Sequence, residues 1–274
     1  MSRALTRAEL MARVLEAVPG ERGYLEPHHE RFHIAYSVLR EHLPAGTRNA
    51  VDVGASRGIF LPVLDALGIG DLHAVDFGDR PVTRPLVLRV GGRTLQATQH
   101  EFDIERGTFP MADGSLDLVV FMEVLEHLAV DPMHTLLEFN RILRPGGLVM
   151  VTTPNACSAE CLVRLLRGQH PGHFTPYRNK SDQRHHREYA PAEVVRVVES
   201  AGFAVDQVKT LPAGRRTVRL LVQVLRWLGR ARIADAMLGE IVYVLARKVR
   251  TVDPSTMTSV ERYPAPVYMR DPGT

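Results

Sequence analysis

Ala50-Val51-Asp52-Val53-Gly54-Ala55-Ser56-Arg57-Gly58 is the stretch on which the reading of the whole chain turns. Ala50 to Val53 is a short apolar strand. Glycine at 54 and 58 closes it in a turn, where a residue without Cβ permits positive φ and lets backbone approach a ligand closely. Ile59 to Leu67 then reads as a helix stopped by Gly68. Strand, glycine turn and helix in that order open a βαβ unit. A glycine turn on its own is a weak signal, and its meaning depends on the strands that come after it.

Three further strand ends lie at suitable distances. Leu72 to Asp76 is a second strand. Its terminal acid stands where a carboxylate can accept hydrogen bonds from both hydroxyls of a ribose. Residues 87 to 104 hold a strand-like piece, a Gly91-Gly92 turn and a strand from about Ala97 to Ile104. There Asp103 can accept from an adenine amino group and Ile104 can pack on the ring. Leu116 to Met122 is a continuous apolar run, as expected of a strand buried on both faces, and it delivers Glu123. In open α/β sheets, ligands bind outside the carboxyl ends of the strands, and all four ends obey that rule. The spacing Gly54, Ser56, Gly58 is shorter than the G-x-G-x-x-G of dinucleotide folds and suits a cofactor with no pyrophosphate.

The pattern continues to the C-terminal side. Asp131 and Pro132 start a helix to Leu143, Pro145-Gly146-Gly147 breaks it, and Leu148 to Thr153 is a strand. A helix over Pro191 to Ser200 ends at Gly202, and Phe203 to Val208 and Ile241 to Ala246 are the last strands. The prediction is an α/β fold: a Rossmann-like, mostly parallel, seven-stranded sheet with helices on both faces. Helical periods at 5–18 and 27–43 predict an N-terminal helical cap over residues 1–45. The main domain is expected over 46–249 and a tail over 250–274.

Bulk properties narrow the classes. Of 274 residues, 45% are apolar and 24% charged, as in an ordinary globular protein. A net charge of +3 is too small to argue for nucleic acid, and no nucleic-acid partner is expected. Cys157 and Cys161, spaced C-x3-C, make neither a zinc set nor a disulfide framework and read as two thiols on one helix face. The polar N-terminus and the lack of any apolar run of about 18 residues predict a cytoplasmic protein.

The motifs VDVGASRG (51–58), HAVDF (73–77), EFDIERGTFPMADGSLDLVVFMEVLEHL (101–128) and RILRPGGLVMVTTPN (141–155) resemble, in this order, those of class I S-adenosylmethionine-dependent methyltransferases. The resemblance covers about Ala50 to Gly202 and the last strand. It implies S-adenosyl-L-methionine as cofactor, with binding roles for Asp52, Gly54, Gly58, Asp76, Asp103 and Ile104; Phe77 and Glu123, at strand ends, are expected to bind it too. It implies the same for Ser56, which stands where many members have glycine. Arg57 is expected to face solvent.

The acceptor side is expected from Glu123-Val124-Leu125-Glu126-His127 and from the long loop 154–190, which carries His185-His186-Arg187-Glu188-Tyr189. On a helical turn Glu123, Glu126 and His127 share a face. His127 and His186 are then candidate general bases, with a core histidine as the competing reading of each, and His185 is expected to alternate outwards. Glu123, Glu126, His127 and His186 also resemble the metal-binding set of small-RNA 3′-terminal 2′-O-methyltransferases, which use Mg²⁺ or Mn²⁺. E-V-L-E-H is also common in metal-free methyltransferases, so no metal is assigned. The 185–193 run resembles bacterial methyltransferases of small metabolites and saccharides. That resemblance implies O-methylation of a hydroxyl on a small metabolite, sugar or glycolipid; an RNA terminus or binding without catalysis are the alternatives. Residues 215–238 predict a basic helix, either docked with a solvated arginine face or touching an anionic membrane through 215–232.

Overall fold

The computed structural model describes residues 3–171, 185–210, 216–230 and 239–258. The described strands hydrogen-bond in the order β3-β4-β2-β1-β5-β6-β8-β7, a mostly parallel eight-stranded sheet. The α/β reading therefore holds with one strand more than expected. The chain divides into two compact units, 1–120 and 121–274.

The first unit opens with α1 (Arg7–Ala17) and α2 (Arg22–His42). A reciprocal cap starts α1: the Thr6 hydroxyl accepts from the Glu9 N–H at 3.3 Å, and Glu9 accepts from the Thr6 N–H at 2.7 Å. α2 begins at Arg22, five residues before the expected start. Pro27 is tolerated inside it because only one N–H is lost, within the second turn. β1 (Asn49–Val53) lies parallel to β2 (Asp71–Asp76), with Val53 opposite Val75, and α3 (Leu61–Ala66) joins them. β4 (Arg93–Glu101) runs parallel to β2, with Glu101 opposite Asp76. The extra strand is β3 (Val82–Val90), paired antiparallel to β4. Their turn is Gly91-Gly92, both at positive φ, and the Glu16 carboxylate accepts from both N–H groups at 2.7 and 3.0 Å. The carboxyl ends of β1, β2 and β4 thus share one edge.

β5 (Leu116–Met122) leads into the second unit. There α4 (Pro132–Ile142) starts as expected, with Asp131 accepting from the N–H groups of Met133 and His134 at 3.1 and 3.2 Å. Its far end is closed by Lys248, whose buried Nζ donates to the Asn140 and Leu143 carbonyls. β6 (Leu143–Pro154), β8 (Ile241–Lys248) and β7 (Phe203–Thr210) lie side by side antiparallel. α6 (Pro191–Ser200) ends near Gly202, where φ is +92° and a Cβ would stand 2.7 Å from Asn140 Nδ2 and 2.8 Å from the Arg250 carbonyl. Only glycine fits there. The helix expected to carry the two cysteines is α5 (Ala159–Leu166), which interrupts the long loop and is capped by Ser158 Oγ accepting from the Cys161 N–H. Cys161 lies in this helix and Cys157 in the turn before it, so the two thiols do not share a helix. Of the expected basic helix, α7 (Arg216–Trp227) is described. Positions 172–184, 211–215, 231–238 and 259–274 lie outside the described residues.

Candidate functional site

At the carboxyl end of β1 the chain enters a left-handed turn. Gly54, Ser56, Arg57 and Gly58 have φ of 79°, 36°, 61° and 79°. Ser56 and Arg57 are non-glycine residues in a region that costs them energy, a kind of strain that collects at functional sites. Packing at 58 is tight as well. A Cβ there would meet Leu61 and Leu86 at 3.0 Å and Leu88 at 3.2 Å. The exposed Arg57 side chain reaches Glu21 at 3.7 Å.

The turn is closed on itself. Gly54 and Ala55 both donate to the Val75 carbonyl, at 2.8 and 3.0 Å, and Gly58 and Ile59 both donate to Ala55. The Ser56 N–H engages the Asp76 carboxylate. Phosphate cradles need N–H groups aimed at the ligand, and here five are engaged internally. The geometry therefore agrees with the short spacing of the motif: close backbone approach without a pyrophosphate.

Two acids flank the turn. Asp52 is buried, and its pKa is raised to about 7 by burial, against the Phe60 N–H that favours the carboxylate and together with repulsion from Asp76. Asp76 is also raised, chiefly by burial, with the Phe77 N–H opposing and the Glu101 charge adding. The Phe77 N–H bonds Asp76 Oδ1 at 2.9 Å, and the Phe77 ring is 62% exposed beside it. Asp103 stands just past β4, but its carboxylate is already occupied. It accepts from the Glu105 N–H at 2.9 Å and from Arg106 at 2.6 Å. Phe102 is buried edge-on to Phe109 at 4.9 Å and holds the base of that turn, with Ile104 half-buried beside it. The structure thus gathers Asp52, Gly54, Ser56, Gly58, Asp76 and Phe77 at adjoining strand ends. Asp103 and Ile104 stand on the third. A vicinal diol carried by a cation fits this donor set, because acids accept from hydroxyls and a positive charge favours their ionised forms.

The second unit holds the other candidates. Glu123 leaves β5 with φ of 55°, again left-handed, and its side chain accepts from Thr152 Oγ1 at 2.8 Å. A single 3₁₀ turn, Leu125–His127, comes next. Glu126 is buried and accepts from Thr153 Oγ1 at 2.9 Å. His127 Nε2 lies 3.9 Å from Glu126 Oε1, an ion-pair distance rather than a hydrogen bond.

The histidine that meets His127 is His185. Their rings cross edge to face with centroids 4.9 Å apart, and His185 Nδ1 lies 3.1 Å from Glu188 Oε1. His186, the expected partner, is exposed; its backbone N–H donates to the Glu126 carbonyl at 2.7 Å. Alternation runs in the opposite sense to the sequence reading because this backbone bond and the Asn155–Tyr189 bridge set the parity of the segment. Donor atoms of Glu126, His127 and His185 all lie within 4.8 Å of one another, close enough to hold a metal ion. Sequence reasoning missed His185, Glu188 and the Thr152-Thr153 hydroxyls. The Thr-Thr pair at the end of an apolar strand was the available signal. Burial raises the pKa of both cysteine thiols and so favours their neutral form.

Comparison with known proteins bears on the family and the fold. The family described as "Methyltransferase domain" matches residues 7–208. A probable S-adenosylmethionine-dependent methyltransferase of Mycolicibacterium smegmatis is 35% identical over 115 residues, 41% of this chain and 39% of the relative. The chain thus spans about two fifths of that relative's length. A ubiquinone biosynthesis O-methyltransferase of Nitrosococcus oceani is 25% identical over 70% of this chain and 78% of its own. Among solved structures, a methyltransferase from Haloferax volcanii in complex with the Trm112 activator aligns with a TM-score of 0.53 and 16% identity. That alignment covers 91% of this chain and 100% of the other. A SAM-dependent methyltransferase from Archaeoglobus fulgidus aligns at 0.50 and 18%, over 79% and 94%. These two likenesses concern the fold alone.

Proposed function

The chain belongs to the methyltransferase domain family and uses S-adenosylmethionine, and from that premise we propose that it methylates a hydroxyl on a small metabolite, sugar or glycolipid, with His127 as general base. The observation that carries this reading is the pairing of His127 with a buried carboxylate, Glu126, and a second imidazole, His185. A hydroxyl must lose its proton as it is methylated, and an imidazole near neutral pH is suited to take it. The Glu126 carboxylate, held by the Thr153 hydroxyl, favours the imidazolium that results. The ubiquinone biosynthesis O-methyltransferase among the relatives supports oxygen as the acceptor atom.

S-adenosylmethionine supplies a methyl group on a positively charged sulfur when it is bound. The chain's own residues have two tasks toward it. Asp76 accepts from the ribose hydroxyls, and the Gly54–Gly58 turn brings backbone close to the nucleoside. Asp52, with its raised pKa, is poised to ionise when a cation arrives nearby. Phe77 offers an exposed ring to the base. Much of the rate should come from positioning rather than covalent chemistry.

The test is methyl transfer from labelled donor to a panel of hydroxyl and amine acceptors. Labelling of hydroxyls, abolished in His127→Ala, is expected. Transfer to amines alone would sink the proposal. A metal-assisted transfer, including one to an RNA 3′-terminal 2′-hydroxyl, is the second reading, favoured by the clustered donors of Glu126, His127 and His185. Activity unchanged by EDTA removes it.

A further inference from the structure

Two helices of the second unit turn apolar faces outward. On α5, Ala159 and Cys161 are buried, whereas Leu162, Leu165 and Leu166 are exposed at i, i+3 and i+4. On α7 and the residue after it, Leu220, Val224, Trp227 and Leu228 are exposed at i, i+4, i+7 and i+8. Leu166 and Trp227 are each 84% exposed. The two helices are in contact with each other. Scattered single apolar residues on a surface are ordinary, but seven large ones on two touching helices mark an interaction site.

The charges around the patch identify the partner. Arg167, Arg226 and Arg230 are exposed, and Arg164 lies 3.4 Å from Glu160, the one acid of α5. From 216 to 230 the sequence holds Arg216, Arg219, Arg226 and Arg230 and no acid. A second copy of this face would bring like charge against like. An anionic bilayer matches both features, accepting Leu and Trp side chains at the acyl boundary and arginines at the headgroups. Among the described residues no helix is long and apolar enough to cross a membrane, so contact would be peripheral.

We propose that α5 and α7 form a peripheral docking face for anionic lipid membranes. The leucines and Trp227 enter the interface, and Arg167, Arg226 and Arg230 pair with acidic headgroups. Membrane affinity then depends on both kinds of residue and falls with salt.

Trp227 is the chain's only tryptophan, so its emission reports on this face directly. The full chain is titrated with vesicles of phosphatidylcholine and phosphatidylglycerol, and with phosphatidylcholine alone. Co-sedimentation and a blue shift are expected only with the anionic vesicles, reversed by high salt. Arg226→Ala/Arg230→Ala should weaken binding about 25-fold, at about 1 kcal/mol per arginine. Leu165→Ser/Leu166→Ser should weaken it about tenfold or more, from the lost apolar insertion. Because these side chains are exposed, the variants should fold, and unchanged S-adenosylhomocysteine binding checks that they do. Equal binding to both vesicle types, no binding at low salt, or a blue shift that tracks protein concentration without lipid would each overturn the proposal; the last would indicate self-association.

Discussion

The turn after β1 and the turn after β5 both place a non-glycine residue in the left-handed region at a strand's carboxyl end, and they use it differently. At Ser56 the strain serves the backbone. Neighbouring N–H groups fold back onto Val75, Ala55 and Asp76, and the whole turn is made by nine consecutive residues and one adjoining strand end. At Glu123 the strain serves a side chain. The carboxylate is aimed at Thr152, and the nearby cluster draws on β6 and on residues about 60 positions further along the chain. A cofactor common to a large family can be held by a conformation, whereas an acceptor must be read by side chains from several segments. The first region should therefore respond to substitution in binding, and the second in turnover.

The largest effect should fall in the second region. His127→Ala removes the proposed base, and general base catalysis contributes about 10²–10⁴-fold. The rate constant for transfer should fall by that factor while the Kd of S-adenosylhomocysteine, measured by calorimetry, stays within about twofold. A comparable loss in binding would erase the distinction between the two regions.

Asp76→Ala is the converse. It deletes an acceptor for two hydroxyls, and hydrogen bonds to charged groups contribute roughly 1.5–3 kcal/mol each. S-adenosylhomocysteine should bind roughly 100-fold more weakly or worse, and turnover at saturating donor should fall much less. If kcat collapses instead, Asp76 does more than hold the cofactor.

The contrast also explains what could be read from the sequence. Val51-Asp52-Val53-Gly54, the acid in HAVDF and the apolar run 116–122 are contiguous signals, each decided by local chemistry, and the helix starts at Asp131-Pro132 and Pro191 are equally local. β3 was legible only as a strand-like piece before Gly91-Gly92, because Val82–Val90 turns mostly outward at the sheet edge, with only Leu88 and Val90 buried. Of α5 only a helix beneath the two cysteines was legible, and its bounds were not, because it is short and presents its leucines to the outside. The choice between His185 and His186 was beyond any local reading. It depends on a bridge between Asn155 and Tyr189 and on a hydrogen bond to the Glu126 carbonyl, both long-range. The engagement of Asp103 by Arg106 was available as an i, i+3 pair in the sequence, although only the structure shows both oxygens occupied.

A third test probes the cost of the first region. Burial raises the folded-state pKa of Asp52 to about 7 from 3.8, so the folded protein keeps the proton after the unfolded chain has lost it. Stability from this group is intact below about pH 4, declines as pH rises through the window to about 7, and is flat above it. Asp52→Asn carries no such charge. Its stability relative to wild type in denaturant titrations should rise across that window, by on the order of a few kcal/mol. A constant difference across the window would mean that Asp52 is ionised throughout.

The smallest effect is the most discriminating for the second region. His185 meets the His127 ring and lies beside Glu188, so His185→Ala removes a neighbour that orients the base. Residues that fix a catalytic imidazole act through it, and about a tenfold loss in kcat, with a shifted pH–rate profile, is expected. His186→Ala keeps the backbone N–H that bonds Glu126 and deletes only an exposed ring. It should change kcat by less than about twofold, with an unaltered pH profile. Equal losses in the two variants would mean that the 185–189 segment reorganises around the acceptor. In that case the parity set by the Asn155–Tyr189 bridge does not persist during turnover.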